Sequence, residues 1–277
     1  MNSKLILGPM RVPFLILTPI CVLLGISTAV YLKKNIDVLN LLLVFIGALA
    51  AHISVNALNE YDDFKSGLDF KTQPTPFSGG SKTLPNAPSK AFIALWIGII
   101  SLLVVIFIGI YFLFTRGLLL LPVGILGIII IILYTRWITK NHILCLISPG
   151  TGFGLLMVLG THFVLTKSYS MTSFIASLVP FFLVNNLLLL NQFPDVVPDK
   201  EVGRRHFPIV IGRKKSALIF NFFLLCSYIS IIIGCVFGYF PLISLLSFIS
   251  IIIAIPLARG AVKYADDIPK LVPYLTI

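Results

Sequence analysis

Apolar residues run along this chain in long blocks and seldom alternate with polar ones. A helix rises about 1.5 Å per residue, so a bilayer core of about 30 Å takes roughly 20 residues. On that scale eight blocks are long enough, at about 13–32, 38–58, 91–114, 117–134, 144–166, 172–193, 216–237 and 241–257. Lipid offers no hydrogen-bond partners, so such blocks predict helices, which satisfy their own backbone; a β-barrel would show alternation. The breakers between them are Thr115-Arg116-Gly117, Ser148-Pro149-Gly150 near the start of the fifth block, and Gly238 to Pro241. The first block is too long for a leader's apolar core and other spans follow it, so it is expected to be a retained helix.

Composition narrows the class. Of 277 residues, 58% are hydrophobic and 11% charged, with a mean hydropathy of +1.03. A soluble domain carries about 25% charged residues, so a soluble enzyme is excluded. Disorder is excluded too, because 22 Phe and long Ile/Leu runs do not stay solvated. The expected fold class is an all-α polytopic membrane protein, residues 1–277 forming a single domain in the lipid bilayer. The net charge of +11 reflects topology and not a nucleic-acid partner. Of 21 Lys and Arg, 17 fall on the N-terminal side of the spans; only Lys33, Lys34, Arg116 and Lys167 fall opposite. Basic loops stay in the cytoplasm, so the N-terminus is expected there. The cysteines (Cys21, Cys145, Cys226, Cys235) lie in or beside apolar runs without metal-ligand spacing, and read as small hydrophobes.

Seven of the 10 acids lie in two short stretches. The first runs from Asn59 to Asp69 with Glu60, Asp62 and Asp63; the second runs from Asn191 to Glu201 with Asp195 and Asp199. Asn59 and Asn191, like Asp63 and Asp195, are offset by 132 residues. Each stretch ends an even-numbered span, which predicts two four-helix halves with a site at their interface. Both stretches fall in loops expected to be cytoplasmic, at about 59–90 and 191–215. Residues at i and i+4 share one helix face, so each Asn stands over its Asp, and Asp195 over Asp199. Solvated loop charges would account for either stretch alone; matched spacing on one side favours a built site. Clustered carboxylates at a membrane boundary need a compensating cation, and oxygen-only donors suit Mg²⁺ together with substrate phosphates. Lys65, Lys71, Lys82, Arg204 and Arg205 are close enough in sequence to neutralise the remaining charge.

These residues resemble the UbiA superfamily of intramembrane prenyltransferases. The first motif is similar to its Asn-x-x-x-Asp element in the form followed by Lys65-Ser66-Gly67-x-Asp69, as in the 1,4-dihydroxy-2-naphthoate branch. The second, Asn191-x-x-x-Asp195-x-x-x-Asp199 followed by Gly203-Arg204-Arg205-His206, is similar to the family's second Asp-rich motif. Arg11 with Pro13, Gly79-Gly80-Ser81, Tyr134-Thr135 and Leu159-Gly160-Thr161 also sit where that branch has similar residues. The resemblance implies Mg²⁺-dependent transfer of a prenyl group from a prenyl diphosphate to an aromatic acceptor, 1,4-dihydroxy-2-naphthoate in menaquinone biosynthesis, at the cytoplasmic membrane of a bacterium. It implies that Asp63, Asp195 and Asp199 act in catalysis by holding the metal, with Glu60 and Asp69 as further metal-site oxygens. It implies that Asn59 and Asn191 contact the diphosphate, joined by Arg11, Lys82, Arg204 and Arg205. Tyr61, Phe64 and Phe193 are candidates for facing the allylic cation, His206 for aiding phosphate or acceptor binding, and Asn185 and Asn186 for lining the cavity or joining helices. The family usually has nine helices against eight here, which implies a truncated chain or a missing last helix.

Other classes predict other features. A 4-hydroxybenzoate or other prenyltransferase of the same superfamily differs only in acceptor contacts. A secondary transporter would place its acids near the bilayer midplane. A phosphatidyltransferase would carry Asp-Gly-x-x-Ala-Arg, and a soluble prenyl synthase Asp-Asp-x-x-Asp; Asp62-Asp63 continues Phe64-Lys65-Ser66 instead.

Overall fold

The computed structural model describes residues 3–32, 36–75 and 78–275. Lys33 and Lys34, counted above on the second side, lie outside them. The described residues form a helical bundle without strands. Among the described residues seven helices are long and apolar enough to cross a membrane: α1 (Val12–Leu32), α2 (Val38–Ser66), α3 (Pro88–Arg116), α5 (His142–Thr166), α6 (Met171–Asn191), α7 (Arg213–Val236) and α8 (Leu242–Lys263). The eighth expected block is α4 (Leu118–Leu133), apolar but shorter. This is a multi-pass membrane protein. Its lipid-facing sides are rich in Ile, Leu and Phe, such as Phe107, Phe114, Leu218 and Ile252.

The two-half reading holds in the packing. α2 packs along α3 in the first half as α6 packs along α7 in the second. Each seam carries a buried polar bond. Ser54 Oγ donates to the Gly98 carbonyl at 2.8 Å, and Asn186 Nδ2 to that of Phe220 at 2.9 Å. Asn185 accepts the Gly150 N–H at 2.5 Å, tying α6 to α5. Asn185 and Asn186 therefore join helices and do not line the cavity. Two histidines join α1 to its neighbours: His52 through Thr18 and His162 through Thr28, both at 2.9 Å.

Two expectations need correction. Ser148-Pro149-Gly150 is not a turn but lies inside α5, which continues through a wide-turned segment at Thr151–Met157. In this segment α5 lies close on α6: a Cβ on Gly154 would sit 2.4 Å from the Phe181 backbone nitrogen. The first motif is not in a loop, because α2 runs on to Ser66. After α8, Ile268–Leu275 forms a short helix that buries Leu271 against Phe193 and Ala261.

Candidate active site

The face of α2 that carries Val44, Ala48, His52, Val55, Asn59 and Asp63 repeats every three or four residues and borders one cavity of about 380 Å³. At one end its walls are polar and come from both motifs. Below, they are apolar, drawn from α2, α3, α4 and α5, with Ile108, Phe112, Ile131 and Leu156 among them.

The first motif is held by the end of α2. Gly67, at φ 78°, closes the helix by donating its N–H to Asp63 and Phe64 carbonyls. Asp63 thus sits in the last turn, one turn beyond Asn59. Glu60 is fully buried; it accepts Arg11 Nε and Nη2 at 3.2 and 3.1 Å and the Ser81 N–H at 3.0 Å, as well as the Ser81 hydroxyl. The Gly79-Gly80 pair (φ 82° and 73°) lets the following loop fold onto Asp69, where a Cβ on Gly80 would meet Asp69 Oδ1 at 2.5 Å.

The second motif is built differently. α6 ends at Asn191, and Asp195 precedes a separate short helix, Val196–Glu201. Asp199, on its first turn, faces Arg204 Nη1 at 3.0 Å and His206 Nε2 at 2.9 Å. The other end of the same guanidinium, Nη2, is hydrogen-bonded to Asp63. Arg204 therefore bridges the halves. The Gly79 N–H donates to Asp195 Oδ2 at 3.2 Å, a second crossing. Lys71 to Glu201, at 2.8 Å, is a third, out in solvent.

Charge is unevenly compensated. Burial pushes the Asp69 carboxyl up to about 7, with Glu60 and Asp63 adding to the rise. Burial, then the Asp199 charge, pushes Asp195 up to about 6. Burial disfavours the Arg204 cation, but Asp63 and Asp199 outweigh it and hold the guanidinium above its ordinary range.

Of the expected residues, Asp63, Asp69, Asp195, Asp199, Asn59, Asn191, Arg11 and Arg204 all border the cavity. Glu60 stands behind Arg11. Lys82 is turned away: its ammonium donates to the Asp69 and Thr72 carbonyls, both at 2.6 Å, and fastens the loop. Arg205 is exposed and lies outside the cavity lining, and its backbone N–H bonds the Thr139 carbonyl. Tyr61 and Phe64 pack against Leu84 and Ala91, and Phe193 is wholly buried in the second half. The aromatic side chains that do border the cavity include Phe14, Tyr134 and Phe153. Of these, Tyr134 had a sequence signal, in the Tyr134-Thr135 pair that sits where the naphthoate branch has similar residues; Thr135 accepts Asn59 Nδ2 at 2.9 Å. His206, a candidate for phosphate or acceptor binding, also borders the cavity, with its Nε2 2.9 Å from Asp199 Oδ2.

Among the described residues no three His, Cys, Asp or Glu side chains gather closely enough to hold a metal by themselves. Arg204 stands between two of the candidates. The donor set nevertheless fits Mg²⁺. It is all oxygen, it surrounds one pocket, and Asp69 Oδ2 is buried with no hydrogen-bond partner. Mg²⁺ commonly takes one or two carboxylates and completes its shell with water and substrate phosphates.

The UbiA prenyltransferase family model matches residues 18–271. A 1,4-dihydroxy-2-naphthoate octaprenyltransferase of Bacillus subtilis (strain 168) is 30% identical over 201 residues, 72% of this chain and 63% of that protein. The chain thus matches less than two thirds of that relative's length. A solved structure described for digeranylgeranylglyceryl phosphate synthase aligns with 99% of this chain and 96% of its own, at TM-score 0.66 and 19% identity. A UbiA homolog from Archaeoglobus fulgidus bound to DMAPP and Mg2+ aligns with 96% of this chain and 85% of its own, at TM-score 0.64 and 11% identity. Those two likenesses establish the fold.

Proposed function

We propose that this chain, which belongs to the UbiA prenyltransferase family and is a prenyltransferase, moves a prenyl group from a prenyl diphosphate to 1,4-dihydroxy-2-naphthoate, a step of menaquinone biosynthesis. The observation that carries this reading is one cavity whose polar end holds both motifs and whose body is apolar. That is the shape of a charged head with a hydrocarbon tail. The naphthoate acceptor is supported by the Bacillus relative and by the Lys65-Ser66-Gly67-x-Asp69 form of the first motif. The excess of Lys and Arg on the motif side supports a cytoplasmic site.

Asp63, Asp69, Asp195 and Asp199 are the residues that would hold Mg²⁺, with Asn59 and Asn191 beside them. Bound there, Mg²⁺ supplies Lewis-acid neutralisation of the departing diphosphate. The chain's own residues do the rest. Arg11 and Arg204 present fixed positive charge to the phosphate oxygens, and a planar guanidinium suits them. Glu60, itself held by the Ser81 N–H and hydroxyl, holds Arg11 in place, so little reorganisation remains when substrate arrives. Among the aromatic residues, Tyr134 borders the same cavity as the motif carboxylates, and an aromatic face turned to the allylic carbon would stabilise its positive charge by about 0.5–2 kcal/mol. The apolar walls exclude water from that carbon and bury the tail at about 0.8 kcal/mol per CH₂. An electron-rich ring carbon of the acceptor then forms the new C–C bond as the allylic C–O bond breaks and diphosphate leaves with its electron pair. The ring regains aromaticity by losing the group that carbon carried, a proton or, at a carboxyl-bearing carbon, CO₂.

The test supplies one labelled prenyl diphosphate and a panel of aromatic acids to protein in bilayer nanodiscs. Prenylated naphthoate is expected, and its formation should stop when a chelator removes divalent metal. Transfer to 4-hydroxybenzoate alone would move the chain to another branch. Uptake into proteoliposomes without covalent product would replace the enzyme reading with a transporter.

A further inference from the structure

A second hollow, of about 490 Å³, opens on the motif face beside the membrane cavity. It is walled by the last turns of α2, by the α4–α5 connection from Thr135 to Lys140, and by Val202 and Arg204. Asp63, Thr139 and Arg204 border both hollows. One layer of side chains therefore separates them, and its crossbar is the Arg204 guanidinium between Asp63 and Asp199. At the outer rim Arg136 grips both oxygens of Asp62, at 3.0 and 2.9 Å. The Arg136 side chain is 63% exposed and that of Asp62 only 16%. Lys140, on the same rim, is exposed and has no ion-pair partner among the described residues.

Prenyl transfer divides an amphiphile. The tail leaves with an apolar product, but the other product is a small anion with several charges. A single charge at the bilayer centre costs about 2.5–3.5 kcal/mol even on insertion scales, so that anion cannot depart along the lipid-facing groove. It needs a wet passage with fixed cations. The second hollow has both, and it touches the membrane cavity at the residues expected to face the diphosphate.

Resting on the prenyl-diphosphate reading above, we propose that this vestibule is a staging site for inorganic diphosphate on its way to water, with Arg136 and Lys140 as its outer cations, Asp62 as the charge that keeps binding weak, and Arg204 as the shared wall. A release site must attract the anion without retaining it.

The experiment uses the full chain in nanodiscs with a prenyl thiolodiphosphate analogue saturating the membrane cavity. Radiolabelled pyrophosphate then reports the vestibule. Arg136→Gln combined with Lys140→Gln should weaken that binding about 5- to 10-fold, the loss of two solvent-exposed charge contacts. Asp62→Asn should strengthen it. Prenyl transfer in a single turnover should stay within about twofold of the unaltered chain in both variants, because neither touches the reacting atoms. No pyrophosphate binding with the analogue in place would overturn the proposal. So would a shift in the same direction in both variants, since a merely structural ion pair is broken from either side with the same result. If the binding shifts appear as expected but no aromatic acid is prenylated, the vestibule stands and the activity reading fails.

Discussion

The two acidic motifs share a spacing but not a backbone. In the first half, Asn59 and Asp63 ride on one unbroken helix that continues to Ser66. In the second, α6 stops at Asn191, Pro194 follows, and Asp195 stands at the head of a separate short helix. The first arrangement is stiff and fixes Asp63 relative to the membrane cavity. The second leaves Asp195 on a connecting segment, held by the Gly79 N–H from the other half. Each motif is completed across the interface. Arg204 comes from the second half to Asp63, and Gly79 from the first half to Asp195. The repeat does not give two independent sites but one site whose pieces neither half holds alone.

Removing the bridge should break this arrangement most severely. Asp63 and Asp199 are buried, and Arg204 is a charged partner to both. Stripping one partner from a buried ion pair costs about 3–5 kcal/mol, so Arg204→Ala should lower thermal stability markedly and abolish transfer. Arg204→Lys keeps the charge, but its single ammonium cannot span two carboxylates as the fork does. It should recover part of the stability and little of the activity. Thermal unfolding and product formation, measured on the same nanodisc samples, check both. Stability equal to that of the unaltered chain in the alanine variant would mean that the halves are not joined through this residue.

The two aspartates should then separate. Asp195→Asn and Asp63→Asn should each lower transfer by about 10²-fold or more, if each contributes several kcal/mol through charge. Only Asp63→Asn should also destabilise, because it takes a charge from Arg204. Asp195 accepts a backbone N–H that an amide oxygen accepts almost as well. Equal loss of stability in the two variants would show that the motifs are equivalent after all.

Much of this was legible beforehand. The spans follow from block length alone, because lipid forces the backbone to close its own hydrogen bonds. The pairing of the motifs followed from the 132-residue offset. The fate of individual charges did not. Lys82 and Arg204 are both basic residues near a motif, yet Lys82 fastens carbonyls of its own loop while Arg204 crosses to the other half. That difference depends on the left-handed turns at Gly79, Gly80 and Lys82 itself, which are tertiary facts. The cavity's aromatic residues were also misplaced. Phe193 lies beside the second motif, but the turn after α6 drives it into the second half's core. Nearness in sequence is a poor guide where a helix ends. The structural role of Asp37 was hidden for a related reason. It looks like a loop charge, yet it accepts the Asn40 N–H at the start of α2 and pairs with Arg116 at 3.6 Å.

The asymmetry of charge predicts a pH effect. Asp69 and Asp195 titrate at about 7 and about 6, both above the ordinary carboxylate value of 3.8. The folded chain therefore binds more protons than the unfolded chain between these values. Stability is greatest at low pH and is lost as pH rises through 6 and 7. With chelator present, the unfolding temperature should fall as pH goes from about 5.5 to 8. Proposed Mg²⁺ binding favours the ionised forms, so saturating Mg²⁺ should flatten that slope and raise the curve most at the alkaline end. An identical slope with and without Mg²⁺ would place the metal away from these two carboxylates.

The smallest effect belongs to the one crossing that lies in solvent. Lys71 and Glu201 meet at 2.8 Å, but their side chains are 47% and 53% exposed. Water screens such a pair, and holding two long side chains together costs entropy, so the coupling is about 0.2–1 kcal/mol. A double-mutant cycle on Lys71→Ala and Glu201→Ala measures it directly. The expected result is a coupling well below that of Asp63 with Arg204, and one that fades as salt is raised. A coupling of several kcal/mol would mean that closing the motif loops over the cavity is one cooperative event, in which the outer pair forms only when the buried bridge does. The small value is what the geometry favours, because Arg204, the Gly79–Asp195 bond and the Thr28–His162 bond already join the halves from inside, where screening is weakest.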